Sequence, residues 1–231
     1  DDAMTEEIIR LPHSHFCYPL PDDLPPVMPP PMEQRGCVTF GSFNNFNKVT
    51  DEVLCLWRQV LDAVSGARLL VKSRIFDHGE GRAMVAERLA RCGIPAMRVE
   101  MRGFSRGYLR EYGDVDIALD PFPYTGGITT CEALSMGVPV VTLAGESHGA
   151  RFGASLLTNA HLPELVAQTP VDYVRIAAGF AAAPDTLRAL RRNLRTMLRH
   201  APLTDAVGYV RDVEDVYRSI WAKFVRAAGT A

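Results

Sequence analysis

The chain has 231 residues, 47% hydrophobic and 23% charged, with a formal net charge of −2 and a pI near 6.3. This is the composition of a globular protein with one sizeable core, and it excludes disordered and collagen-like chains. The near-neutral balance gives no global pull toward nucleic acid or an anionic membrane, so any anion site has to be local.

In chain order, the opening DDAMTEEIIR has no basic stretch followed by an apolar one, and no signal peptide is expected. The first residue is Asp rather than Met, which fits a fragment of a longer protein. Residues 6–18, EEIIRLPHSHFCY, read as one short apolar strand and a turn, the end of something else. In PLPDDLPPVMPPP, residues 19–31, seven of thirteen residues are proline; such a segment favours stiff extended geometry and reads as a linker.

Beyond the linker the apolar period switches repeatedly. CVTFGSF reads as a strand, and DEVLCLWRQVLDAV puts Val53, Leu54, Trp57, Val60, Leu61 and Val64 on one helical face, with Thr50 as N-cap. There follow ARLLVKS (strand), RAMVAERLARCG (helix), MRVEMR (strand), SRGYLREYG (short helix), VDIALD (strand), TTCEALSMG (helix) and VPVVTLAG (strand). Strands apolar on both faces that alternate with helices predict an α/β domain, a Rossmann-like doubly wound parallel sheet. The expected division is residues 1–35 as the end of a preceding lobe plus linker, 36–168 as the Rossmann-like domain, and 169–231 as a C-terminal helical extension. No run approaches the roughly 18 apolar residues of a membrane span. The five cysteines, Cys17, Cys37, Cys55, Cys92 and Cys131, have no CxxC spacing, so no zinc site or disulfide framework is expected and a reducing, cytoplasmic setting fits.

In such sheets ligands sit outside the carboxyl ends of the strands. In DPFPYTGGITTCEALSMGVPVV, Gly126 and Gly127 let the backbone approach a ligand, and the helix starting near Thr129 offers free N–H groups and a positive dipole end to an anion. Thr129 and Thr130 add hydroxyls. The same letters, TTCE, also match a capping box in which Glu132 folds back on the cap; a functional Glu132 would instead face a neutral diol such as a ribose. In GSFNNFNKVT, Lys48 offers a mobile full charge and Asn45 a neutral amide to a phosphate, against the alternative of an Asn-rich turn with a solvated lysine. In MRGFSRGYLR, Tyr108 is a candidate to stack on a base, with Gly103 exposing backbone groups, unless Tyr108 is simply core. Asp114 and Asp116 have Asp-x-Asp spacing but lie at the entrance of a strand, the wrong end for a metal clamp. His148 and His161 are isolated and read as structural, with His148 alone near a strand's carboxyl end.

Together EEIIRLPHSHFCYPLP, FGSFNNFNKVT, DVDIALDPFPYTGGITTCEALSMGVPVVTLAGE and ARFGASLLTNAHLPELVA resemble the carboxyl-terminal half of the O-linked N-acetylglucosamine transferases that carry tetratricopeptide repeats, and their SPINDLY-type relatives, glycosyltransferase family 41. The resemblance implies the C-terminal, donor-binding lobe of a two-lobed GT-B enzyme that transfers a sugar, with inversion and without a metal or other cofactor, from a nucleotide diphosphate to protein Ser or Thr hydroxyls. By motif it assigns Lys48 and Asn45 to the diphosphate, Thr129 and Thr130 to the helix start that also contacts it, and Glu132 to the ribose. Tyr108 stands where the family often has a base-contacting histidine, and Ser105 where a family lysine lies near the base. Arg151 resembles the N-acetylglucosamine branch and favours UDP-N-acetylglucosamine over the GDP-fucose of the SPINDLY-type branch. The implied partners are the sugar nucleotide, a protein acceptor, and an N-terminal lobe with tetratricopeptide repeats ahead of residue 1. Neither nucleic acid nor a membrane span is among them. A non-catalytic nucleotide-binding or interaction module is the rival reading.

Overall fold

Among the described residues, six short strands built from the β-branched and apolar runs alternate with helices. They are β1 (Thr39–Ser42), β2 (Arg68–Lys72), β3 (Val99–Arg102), β4 (Ile117–Leu119), β5 (Val140–Leu143) and β6 (Val166–Ala167). The helices are α1 (Met32–Arg35), α2 (Asp51–Ala63), α3 (Gly79–Arg91), α4 (Tyr108–Glu111), α5 (Ile128–Ser135), α6 (Phe152–Asn159), α7 (Pro170–Ala181), α8 (Pro184–Leu198) and α9 (Ala206–Ala228). The computed structural model describes residues 5–228. Every strand pair is parallel, in the order β3-β2-β1-β4-β5-β6, with Phe40 opposite both Leu69 and Ile117. The order reverses between β1 and β4, which opens a crevice at the carboxyl ends of those two strands.

The sheet is covered on both faces, so its central strands are apolar throughout: Phe40, Leu69, Leu70, Ile117 and Val141 are inaccessible to solvent. α2 begins where Thr50 Oγ1 accepts the Val53 N–H at 3.3 Å, and it buries Val53, Leu54, Leu56, Trp57, Val60 and Leu61. Val64, expected on that face, is its half-buried C-cap. The helices after residue 169 complete the cover, since Tyr173 of α7 is fully buried and accepts a hydrogen bond from Trp57 Nε1 at 3.3 Å.

The structure differs from the sequence expectation in several places. Residues 6–18 form no strand; they run irregularly past α9, held by Lys223 Nζ to Glu7 at 2.5 Å and by the Tyr209 hydroxyl to the His15 carbonyl at 3.1 Å. Their apolar residues have no neighbouring strand to complete a ladder. The proline segment is docked along its length: Arg195 donates to the Pro25 carbonyl at 2.7 Å and Arg191 to the Met28 carbonyl at 2.8 Å. α3 starts at Gly79, ahead of the apolar pattern, and Gly81 fits only as glycine because a Cβ there would lie 2.1 Å from the Ile75 carbonyl oxygen. Among the described residues, no helix is long and apolar enough to cross a membrane.

Candidate functional site

The loops after β1, β2 and β3, together with the first turns of α5, enclose a cleft of about 650 Å³. Phe43, Asn45, Phe104, Tyr108, Thr129 and Glu132 are among its lining residues. A second cleft, of about 710 Å³, lies between residues 13–14 and 199–212. It is built on none of the strand ends, so the first cleft is the one where this fold concentrates ligand-binding loops.

Glu132 sits in the cleft wall and is 8% exposed. Burial raises its carboxyl above the ordinary value, and the hydrogen bond from the Tyr108 hydroxyl to Glu132 Oε1 works against that rise. Tyr108 is half-buried, and burial followed by Glu132 raises its phenol in turn. The capping-box reading is therefore not realised. α5 starts two residues earlier than that pattern requires, with Gly127 rather than Thr129 as N-cap and no side-chain cap bond. Thr129 then lies inside the first turn, and its hydroxyl donates to Asn44 Oδ1 at 3.0 Å. The cations near this cleft are already engaged: Lys72 pairs with Glu111 at 2.8 Å and bonds the Gly103 carbonyl at 2.5 Å, while Arg74 lies over the Phe104 ring at 4.8 Å. A buried carboxylate beside apolar and aromatic walls suits neutral hydroxyls and a flat ring better than a phosphate.

The anion-friendly features lie at the other end of the α5 start. The N–H groups of Gly127, Ile128 and Thr129 donate to no protein acceptor among the described residues. They head a helix whose dipole is positive there. Lys48 stands outside the cleft lining, half-buried, with Nζ 3.0 Å from the Thr125 carbonyl and 4.3 Å from the centroid of the Tyr124 ring. Burial lowers its ammonium from the ordinary lysine value, and Asp120 opposes that shift.

Not every residue read from the sequence faces the ligand space. Asn45 is exposed at the cleft edge, but its Oδ1 accepts the Asn47 N–H at 3.1 Å and shapes the turn. Asn44, which sequence reasoning passed over, is the buried asparagine that touches α5. Gly126 is buried and packs inward, since a Cβ would meet Thr130 Oγ1 at 2.4 Å and Asp120 Oδ1 at 2.7 Å; Gly127 has only Phe16 nearby, at 4.0 Å. Thr130 turns away from the cleft, 2% exposed and without a hydrogen-bond partner, into a small internal space it shares with Ser42, Asn44 and Asp120. Asp116 accepts the Thr39 and Met32 N–H groups at 2.8 and 3.1 Å, and Asp114 pairs with Arg35 and Arg102, so both are framework residues. His148 packs with His15 and Phe152, each ring centroid at 4.9 Å. Asp120 is the other residue missed. A lone carboxylate directly after the apolar strand Ile117–Leu119 was the available signal.

The sequence model of glycosyl transferase family 41 matches residues 33–213. Two curated plant proteins, each a probable UDP-N-acetylglucosamine–peptide N-acetylglucosaminyltransferase SPINDLY, from Hordeum vulgare and Oryza sativa subsp. japonica, are 39% and 40% identical over 222 residues. Those alignments cover 95% of this chain and 24% of each relative, so the chain spans about a quarter of their length. An O-GlcNAc transferase mutant from Thermobaculum terrenum superposes with a TM-score of 0.90 at 35% identity, over 99% of this chain and 44% of that one.

Proposed function

The chain belongs to glycosyl transferase family 41, and from that membership we propose that it is the donor-binding lobe of an inverting, metal-independent glycosyltransferase that moves N-acetylglucosamine from UDP-N-acetylglucosamine to protein Ser or Thr hydroxyls. One observation carries the reading. A cleft with a buried carboxylate and aromatic walls adjoins a helix start with three unengaged N–H groups and a lysine on the far side of the same loop.

In this reading the base lies against Tyr108 and the apolar wall, and Glu132 accepts hydrogen bonds from the ribose hydroxyls. The diphosphate sits on the N–H groups at the start of α5, within reach of Thr129 and Lys48. Transfer forms the bond between the acceptor oxygen and the anomeric carbon and breaks the bond from that carbon to the β-phosphate oxygen, which keeps the electron pair. Lys48 and the helix start stabilise this growing charge more in the transition state than in the ground state. These groups are the chain's own electrostatic resource for the leaving diphosphate. The one Asp-x-Asp spacing in this part of the chain is occupied with framework bonds. In this reading the groups that bind the acceptor belong largely to the part of the relatives' length that this chain does not span.

A GDP-fucose donor is the second reading. It is favoured by Tyr108, which lines the cleft where the family resemblance puts a base-contacting histidine. Calorimetric titration with UDP, UDP-N-acetylglucosamine, GDP and GDP-fucose, with and without magnesium, decides between them. Magnesium-independent binding of the uridine compounds that Lys48→Ala abolishes is the expected result. Guanosine preference transfers the assignment to the fucosyl branch, and absence of binding by any of the four sinks the donor-lobe reading for this chain.

A further inference from the structure

The peptide unit between Thr125 and Gly126 carries two charge-assisted hydrogen bonds, one on each side. Its carbonyl accepts from the Lys48 ammonium at 3.0 Å, and its N–H donates to Asp120 Oδ1 at 2.7 Å. Cation, peptide and carboxylate therefore form one chain in which each bond polarises the next.

We propose that Asp120 is a positioning residue for Lys48: through the Thr125–Gly126 peptide it supplies the counter-charge to the lysine ammonium and fixes the orientation of the loop that leads into α5. The inference rests on the reading of Lys48 as the ligand of the donor diphosphate.

The surroundings leave Asp120 few other roles. It is 1% exposed, out of reach of any ligand in the cleft. Its second oxygen accepts the Thr142 hydroxyl of β5 at 2.8 Å, and its backbone carbonyl accepts the Tyr173 hydroxyl of α7 at 2.9 Å. Lys48 is the cation that acts on it; Tyr173 is the other titratable group that faces it, and Asn44 adds a neutral amide. No ion pair joins Asp120 directly to a cation among the described residues, so the peptide is the bridge. Two glycines make room for it. A Cβ at Gly126 would lie 2.7 Å from Oδ1, and one at Gly153 would lie 2.7 Å from Oδ2 and 2.1 Å from Thr142 Oγ1.

The peptide's orientation matters because it is followed directly by the N–H groups of Gly127, Ile128 and Thr129. A peptide turned over would point its N–H at the ammonium and its carbonyl at the carboxylate, an arrangement that Lys48 and Asp120 both oppose. The electrostatic balance agrees: burial lowers the lysine and Asp120 holds it up, while burial raises Asp120 to about 6 and Lys48 is among the groups that hold it down.

The chain has three lysines, Lys48, Lys72 and Lys223, so 13Cε-lysine NMR resolves each titration, with Lys48→Met assigning its signal. Asp120→Asn keeps an oxygen for the Gly126 N–H, and the Thr142 hydroxyl can turn to accept from the new amide, so the charge is removed while the bonds remain. The Lys48 midpoint is expected to fall by about one pH unit in this variant while Lys223 stays in place. An unchanged Lys48 midpoint overturns the proposal. If Asp120→Asn does not fold, the reciprocal measurement serves: in Lys48→Met the Asp120 carboxyl must titrate higher than in the parent chain, and equal values overturn the proposal. Neither titration needs a nucleotide, so a chain that fails to bind uridine compounds but shows the shift sinks only the functional reading, whereas binding without the shift sinks only this one.

Discussion

Strand β4 is flanked by two buried aspartates, Asp116 at its entrance and Asp120 at its exit, 2% and 1% exposed. Both are raised by burial, and both accept backbone N–H groups. Their counter-charges differ. Asp116 faces Arg191, itself largely buried on α8 and spread over the carbonyls of Met28, Val115 and Tyr112. Asp120 faces a flexible lysine across one peptide, beside N–H groups that have no protein partner. The entrance of the strand is thus a closed electrostatic unit that ties the proline segment and α8 to the sheet. The exit is left open on one side, and that is the side where a ligand fits.

Removing each aspartate tests the contrast. Asp116→Ala strands the Arg191 guanidinium and two N–H donors, and a loss of about 3–5 kcal/mol in urea unfolding is expected, with nucleotide affinity of the folded fraction unchanged. A loss under about 1 kcal/mol would show that Arg191 is satisfied by its carbonyls alone.

Asp120→Asn should act on the pH dependence instead. The folded chain raises this carboxyl from 3.8 to about 6, a displacement of about two units or about 3 kcal/mol. Because the folded state holds the proton more tightly, the contribution is fully present below about pH 4 and is lost as pH rises through 6. The stability of the parent chain relative to the variant should fall across that window, as read by denaturant titrations at several pH values. Parallel curves would deny the buried titration.

Gly126→Ala pushes a methyl against Thr130 Oγ1 and Asp120 Oδ1, and a cost of about 1–3 kcal/mol is expected, accompanied by weaker nucleotide binding. The smallest effect on the fold is expected from Glu132→Gln, which keeps an acceptor for the Tyr108 hydroxyl. Uridine nucleotide affinity should drop about tenfold with the melting temperature nearly unchanged. A lower melting temperature with intact affinity would return Glu132 to a structural role.

The strands and long helices were legible because two-sided burial writes continuous apolar runs and one-sided burial writes a 3.6-residue period. β6 was missed because two residues carry no period, and the strand expected in residues 6–18 failed because apolar letters cannot say whether a pairing partner lies alongside. Around the cleft, the positions of Thr129 and Glu132, which line it, and of Lys48, which stands outside its lining, were legible from the strand-to-helix connections that carry them. Thr130 was assigned to the same face as its neighbour, although adjacent helical positions diverge by about 100°. The capping-box pattern misled because the N-cap lies two residues earlier, at Gly127. Asp120 left no spacing pattern, since its partners come from β5, α7 and the Gly126 amide.

The glycine at position 153 carries a consequence for how such a chain changes over generations. Its missing Cβ is space already occupied by Thr142 Oγ1 and Asp120 Oδ2, so residues from three separate elements share one volume. A side chain gained at 153 is acceptable only after 120 or 142 has shrunk, and a shrunken 120 releases the peptide that Lys48 rests on. Positions 120, 126, 142 and 153 therefore form one epistatic unit: single steps away from it are uphill, and a saturation library over all four should return viable clones as matched sets.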